Sequence, residues 1–188
     1  MKNAYLLGMD IGTTNIKAII TTAEGERVAA ASRANRLLCP GRDMAEQDAA
    51  QWWGSAVEIF HELGRKAGAD VLAGIRGIAV SSQTVTLLPL DEKGMPLRHA
   101  IIWMDGRSGG ELKEILEAVG RQRFAEIVGG QPDVAFLPSK LLWFKRHEPE
   151  LYARTACLLQ ANGYVNYRLT GRLSLDMDQA VRTQCMEL

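Results

Sequence analysis

Several protein classes are excluded by what this 188-residue chain has little of. It holds three cysteines and three histidines, and neither sign of charge is in excess. Lysine plus arginine is 22 and aspartate plus glutamate is 22, so the formal net charge is zero. A balanced chain carries no broad basic footprint for nucleic acid or an anionic membrane. Cys39, Cys157 and Cys185 are odd in number and widely spaced. That pattern offers no zinc spacing and points to free thiols in a reducing compartment. His61, His99 and His147 are scattered, which argues against a histidine metal site. No apolar run approaches the roughly 20 residues of a membrane helix. Tyr5–Met9 is too short for a signal-peptide core and ends at Asp10. No internal repeat or low-complexity stretch occurs. The expectation is a cytoplasmic protein with no nucleic-acid or membrane partner.

The rest of the composition is globular. Apolar residues make up 47% and charged residues 23%, as in ordinary folded domains. A chain of this length buries a core without disulfide or metal support.

Tyr5–Ile11 reads as a buried strand, Gly12–Asn15 as a tight polar turn, and Ile16–Thr22 as a second strand. Arg27–Ser32 completes an antiparallel meander. Asp48 with Gln51 three residues on is a capping-box signature. Trp52, Ala56, Ile59, Phe60 and Leu63 then recur at helical spacing to about Lys66. Strands follow over 74–80, 86–90 and 100–103. Helices are expected over 107–119, from a cap at Ser139 to before Pro149, and from a cap at Asn162 through Leu169, closed by Gly171. A short strand, 156–159, precedes the last of these. The alternation makes the chain an α/β domain with a mixed sheet.

The chemistry concentrates in Asp10-Ile11-Gly12-Thr13-Thr14-Asn15-Ile16-Lys17. A strand delivers a carboxylate to a turn of glycine and hydroxyl residues. Gly12 lets a phosphate come close to the backbone. Thr13 and Thr14 offer N–H groups and hydroxyls to phosphate oxygens. Asp10 suits a magnesium ion that keeps several waters, and Lys17 can neutralise phosphate charge. An ordinary hairpin turn explains the same residues. The motif is neither a dinucleotide fingerprint nor a Walker loop, because a strand follows and the Gly-Lys-Thr ending is missing.

Met44-Ala45-Glu46-Gln47-Asp48-Ala49-Ala50-Gln51-Trp52-Trp53 and Ala100-Ile101-Ile102-Trp103-Met104-Asp105-Gly106-Arg107 extend the pattern. With the opening motif they resemble the FGGY family of carbohydrate kinases, most of all its xylulokinase branch. The resemblance continues in order through Gly77–Gln83, Ser139–Trp143, Tyr167–Gly171 and Asp176–Ala180, and so covers almost the whole chain. It implies an actin-like, ribonuclease-H-like ATPase fold with two domains and the active site between them. Residues 1–188 would be the N-terminal, sugar-side domain, and an incomplete one. The nucleotide-binding domain and the general-base aspartate would lie beyond Leu188. The implied cofactors are ATP and Mg2+, and the implied substrate is a sugar or polyol, with a xylulose-like ketose the nearest match.

By the same resemblance, Asp10 is the catalytic and metal-proximal carboxylate. Gly12, Thr13, Thr14 and Lys17 contact phosphate. Gln83, Thr84, Trp103 and Asp105 line the sugar pocket, although Asp105 also suits a helix cap. The sequence departs from the family at Thr84-Val85. Glycerol-type members carry Arg-Glu there and typical xylulokinases Met-His, which disfavours glycerol. Pro-Lys-Asp-Tyr is replaced by Ala161-Asn162-Gly163-Tyr164. Two other readings are a catalytically inactive sugar-binding or interaction module and a chaperone-type actin-like ATPase. The 103–107 segment argues against the second. The chain alone is expected to be inactive, and either to self-associate or to be only marginally stable.

Overall fold

The computed structural model describes residues 4–186. Three strands open the chain: β1 (Tyr5–Ile11), β2 (Asn15–Thr22) and β3 (Arg27–Ala34). Successive pairs are antiparallel, as the meander reading predicts. A short β4 (Glu46–Gln47) leads into the 19-residue α1 (Ala49–Ala67) and the single turn α2 (Ala69–Ala73). β5 (Ile75–Ser82) then runs parallel to β1, giving a four-stranded mixed sheet in the order β3-β2-β1-β5. β6 (Leu88–Leu90) and β7 (Ala100–Ile101) follow, and after them α3 (Gly109–Val119) and α4 (Arg121–Val128). The chain continues through α5 (Leu137–His147), α6 (Pro149–Ala153), β8 (Cys157–Leu159), α7 (Ala161–Thr170) and α8 (Met177–Arg182). β4 pairs with β7, and β6 with β8, as two small antiparallel ribbons.

Strand alternation builds the main core. Leu7, Met9 and Ile11 of β1 and Ile16, Ala18 and Ile20 of β2 point to one buried face. α1 lays Trp52, Ala56, Ile59 and Leu63 against it, and α7 adds Tyr164 and Val165. The Trp52 and Tyr164 rings meet edge to face at 6.4 Å. A second cluster of Val85, Leu87, Ile101, Leu137 and Phe144 joins β7 to α5.

Some expected details differ. Asp48 does cap α1, accepting from Ala50 N at 2.8 Å, but Gln51 does not close the box. Its amide turns to β3 instead, where Nε2 donates to Ala34 O at 3.3 Å. Ser139 lies inside α5, which starts two residues earlier because Pro138 suits a first turn that needs no N–H partner. Its hydroxyl pairs with Ser108 at 3.0 Å. Asn162 is likewise inside α7, and its amide donates to Asp176, the N-cap of α8, at 2.8 Å. The expected left-handed Gly171 closes α7 at φ 71°. β4 and the helices α2, α4, α6 and α8 carry no clear sequence signal. α2, α6 and α8 are too short to show a helical period, and β4 has only two residues.

Candidate functional site

The turn between β1 and β2 is shaped from beneath. Asn35 Nδ2 donates to Gly12 O at 2.8 Å, Gln47 Nε2 to Thr13 O at 2.7 Å, and Asn35 N to Thr14 O at 2.8 Å. Asn35 and Gln47 are both buried, so these three carbonyls face the interior. A trans peptide holds its N–H opposite its C=O. The Thr13 and Thr14 N–H groups therefore face away from the core, and no backbone hydrogen bond among the described residues engages them. Gly12 is required by space. A Cβ there would meet Asn15 O at 2.8 Å and Asp10 Oδ2 at 3.3 Å. Outward N–H groups over a glycine form a ready anion nest.

β1 and β2 pair Asp10 with Lys17 directly, which places both on the sheet face away from α1. Lys17 Nζ lies 3.5 Å from Asp10 Oδ2, and Ser81 Oγ donates to Asp10 Oδ1 at 2.9 Å. The Asp10 side chain is 34% exposed, so a cation approaching from solvent can reach it. A depression of about 720 Å³ runs along this face past Asp10, Lys17, Ser81 and the small residues Gly8, Ala30 and Ala79. No group of three or more His, Cys, Asp or Glu among the described residues is placed to hold a metal ion. One carboxylate with open space beside an anion nest is the arrangement that suits hydrated magnesium carried on phosphates.

The sugar-side candidates meet the turn at Thr13. Its hydroxyl donates to Gln83 Oε1 at 3.0 Å and accepts from Trp103 Nε1 at 3.1 Å. Gln83 sits just past the end of β5, anchored by its N–H on Ile11 O at 2.9 Å. Trp103 is 43% exposed, unlike the fully buried Trp52. The Thr84 hydroxyl approaches Gln179 Oε1 of α8 at 3.4 Å. Val85 follows with φ +50°, a strained conformation for a β-branched residue, and its side chain is buried in the second core.

Asp105 is placed apart from this surface. It is fully buried, and its carboxylate accepts from Ala45 N at 2.6 Å and from the Arg107 guanidinium at 2.7–3.0 Å. It also accepts from Arg107 N, closing the turn before α3. Its oxygens are committed to holding the 103–107 loop, the turn-closing role that its place before a helix also suits. Arg107 continues to Glu46 at 2.7 Å, and Glu46 to Arg98, which also pairs with Glu148. Burial opposes the Arg107 charge, yet its bonds to Asp105 and Glu46 outweigh that and hold its pKa above the usual value. The Trp143 ring stacks beneath both guanidiniums, 4.9 Å from Arg107 and 5.7 Å from Arg98.

Three polar residues escaped sequence reasoning: Asn35, Gln47 and Lys140. Lys140 is fully buried and donates to Ile102 O at 3.0 Å and to Ala135 O. It thereby ties α5 to the residue before Trp103. Burial pulls its pKa down to about 8, against the attraction of Asp105 and Asp133. Gln47 and Lys140 lie in segments that carry the family resemblance. The sequence offers no sign that either is buried, because a polar residue before a helix or within one reads as solvated.

The family profile for the N-terminal domain of the FGGY family of carbohydrate kinases matches residues 5–188. Xylulose kinases from Klebsiella pneumoniae and Bacillus subtilis are 31% and 30% identical over 97% and 98% of this chain. The chain spans only 37% and 36% of their lengths. The crystal structure of xylulose kinase from Rhodospirillum rubrum superposes with a TM-score of 0.92 at 33% identity, over 98% of this chain and 38% of that one. Gluconate kinase from Lactobacillus acidophilus superposes at 0.91 with 26% identity, over 99% of this chain and 37% of that one. These are sugar kinases of the actin-like ATPase fold, and the mixed sheet described above is that fold's. On the profile match and these likenesses together, the chain belongs to the FGGY family of carbohydrate kinases.

Proposed function

We propose that the intact protein is an ATP-dependent sugar kinase, and that residues 1–188 supply its phosphate turn and one wall of its sugar pocket. A xylulose-like ketose is the nearest substrate, since the similar proteins include several xylulose kinases. The observation that carries the reading is the meeting at Thr13. One hydroxyl joins an outward-facing N–H turn to Gln83 and Trp103. Phosphoryl transfer depends on holding donor phosphate and acceptor hydroxyl in one geometry, with charge neutralised around them.

Each residue has a role in this reading. The Thr13 and Thr14 N–H groups hold phosphate oxygens, and Lys17 offsets their charge. Asp10 holds the magnesium ion through water, and Gly12 leaves room for the phosphate. Bound Mg2+–ATP supplies the transferable phosphoryl group and a positive charge beside it. Gln83, Thr84 and Trp103 face the sugar, whereas Asp105 acts through the loop it braces. The general-base aspartate and most of the adenosine site are assigned to the part of the intact protein outside this chain. In this reading the kinase works in the cytoplasm, drawing on the ATP pool there. A coupled ADP-release assay on the full-length protein, across pentuloses, hexuloses and polyols, tests the reading. Sugar-dependent release is expected with a ketose. Release with no member of a broad panel would sink the proposal and favour an inactive sugar-binding module.

A further inference from the structure

Gln47 is fully buried and touches both halves of the candidate site. Its Nε2 donates to Thr13 O at 2.7 Å. Its Oε1 accepts from Gln83 Nε2 at 2.5 Å, Asn35 Nδ2 at 3.2 Å and Trp52 Nε1 at 3.3 Å. The four partners come from the phosphate turn, the end of β5, the end of β3 and α1.

The orientation of this amide is fixed by its neighbours. A carbonyl only accepts and an indole N–H only donates. Thr13 O therefore requires the NH2 group on its side, and Trp52 requires the oxygen on the other. Once Gln47 is set, Gln83 must turn its own NH2 to Gln47 Oε1. That leaves Gln83 Oε1 for the Thr13 hydroxyl, which in turn leaves the Thr13 oxygen to accept from Trp103. Donors run from the exposed indole of Trp103 through Thr13 and Gln83 to Gln47 Oε1, where the buried indole of Trp52 donates from the other side. A hydrophobic side chain would fill the same volume without the cost of burying an amide. The amide supplies direction.

We infer that Gln47 is a positioning residue, whose buried amide locks the phosphate turn and the sugar-side Gln83 into one relative geometry. It reaches neither ligand and acts only through Thr13 and Gln83. The inference rests on the kinase reading for its catalytic consequence, but not for its structural one.

Two variants of the full-length protein test it. Gln47→Leu removes both the donor to Thr13 O and the acceptor shared by Gln83, Asn35 and Trp52. Turnover should fall by about 10²-fold, as for small misplacements at a reacting centre, with KM raised for both ATP and sugar. A folded Gln47→Leu with turnover and both KM values within about twofold of the parent would overturn the inference. Gln47→Glu keeps an acceptor but sets a carboxylate oxygen against Thr13 O. Turnover of the folded variant should therefore fall by about 10²-fold, as for Gln47→Leu. Parental turnover in a folded Gln47→Glu would count against the positioning role, and this arm serves if Gln47→Leu does not fold. A third readout needs no kinase activity. With 5-fluorotryptophan incorporated, the Trp103 fluorine resonance, assigned by Trp103→Phe, should shift in both variants although Trp103 does not touch Gln47. An unmoved resonance would also overturn the inference. A moved one in a protein without sugar-dependent ADP release would uphold the lock and reject the kinase reading.

Discussion

Asp10 is held lightly for a structural residue. Its partners are one serine hydroxyl at 2.9 Å and a lysine ammonium at 3.5 Å, both at partly open positions. A carboxylate beside an anion nest repels phosphate unless a cation lies between them. Asp10→Asn keeps the shape and the bond from Ser81 while removing the charge. In the full-length protein it should lower turnover by about 10²-fold or more, a few kcal/mol at the transition state. Sugar affinity measured without nucleotide should stay near the parent's, because Gln83, Thr84 and Trp103 do not touch Asp10. Near-parental turnover in a variant of lower melting temperature would assign Asp10 to the turn alone. Lys140 supports a second prediction at this scale. Asp105, Asp133 and Arg107 are the charges around it, and its folded pKa of about 8 lies below its ordinary value. Between about pH 8 and 10.4 the unfolded chain holds a proton that the native chain has lost. Stability therefore rises with pH through that window, and below it the buried charge is a standing penalty. The melting temperature of the parent minus that of Lys140→Met should increase from pH 8 to pH 10. Parallel curves would show that Lys140 titrates normally.

At the scale of elements, α1 explains why part of the fold is legible and part is not. Its 19 residues repeat an apolar face five times over, and Asp48 marks its start with a side-chain bond to Ala50 N. Asp48→Ala should cost about 1 kcal/mol, the usual value of such a cap. A denaturant midpoint within error of the parent's would show that the tertiary contacts of α1 hold its first turn without the cap. The opening meander was equally readable, because two faces of a strand differ at every second residue. α4 and α8 were not readable. α8 has six residues and is fixed by the Asp176 cap and by Asn162 from another helix, a contact no local pattern reveals. The Ser139 and Asn162 caps failed for a related reason. Both have cap chemistry, but tertiary partners at Ser108 and Asp176 took up their side chains.

For the molecule as a whole, the four-stranded sheet is covered on one face by α1 and α7 and open on the other among the described residues. β5 is an edge strand among the described residues, and Leu6 and Ile78 near it are about half exposed. An exposed edge beside apolar surface promotes pairing between chains. The 188-residue chain by itself should therefore self-associate, which light scattering across a concentration series would read. A monodisperse monomer at high concentration would contradict this. On the proposed function, which assigns the base and most of the adenosine site to the intact protein, the same preparation should show no kinase turnover.

The sequence by itself determined the motifs and their order. Asp10, Gly12, Thr13, Thr14 and Lys17 stand out as a carboxylate, a glycine–hydroxyl turn and a cation where one strand turns back into the next, and the family resemblance adds Gln83 and Trp103. Their family follows from that order, and so does the α/β class. Tertiary structure alone decided which polar groups face outward. Asp105 and Trp103 lie two residues apart in one loop. Ala45 and Arg107 draw the first inward, while the second remains at the surface beside Thr13. Gln47 and Lys140 were invisible for the converse reason. A polar residue belongs in the core only when every donor and acceptor finds a partner, and those partners come from distant parts of the chain. Local pattern records which side chains are polar, but their burial is settled by long-range hydrogen bonds that exist only once the sheet and helices have met.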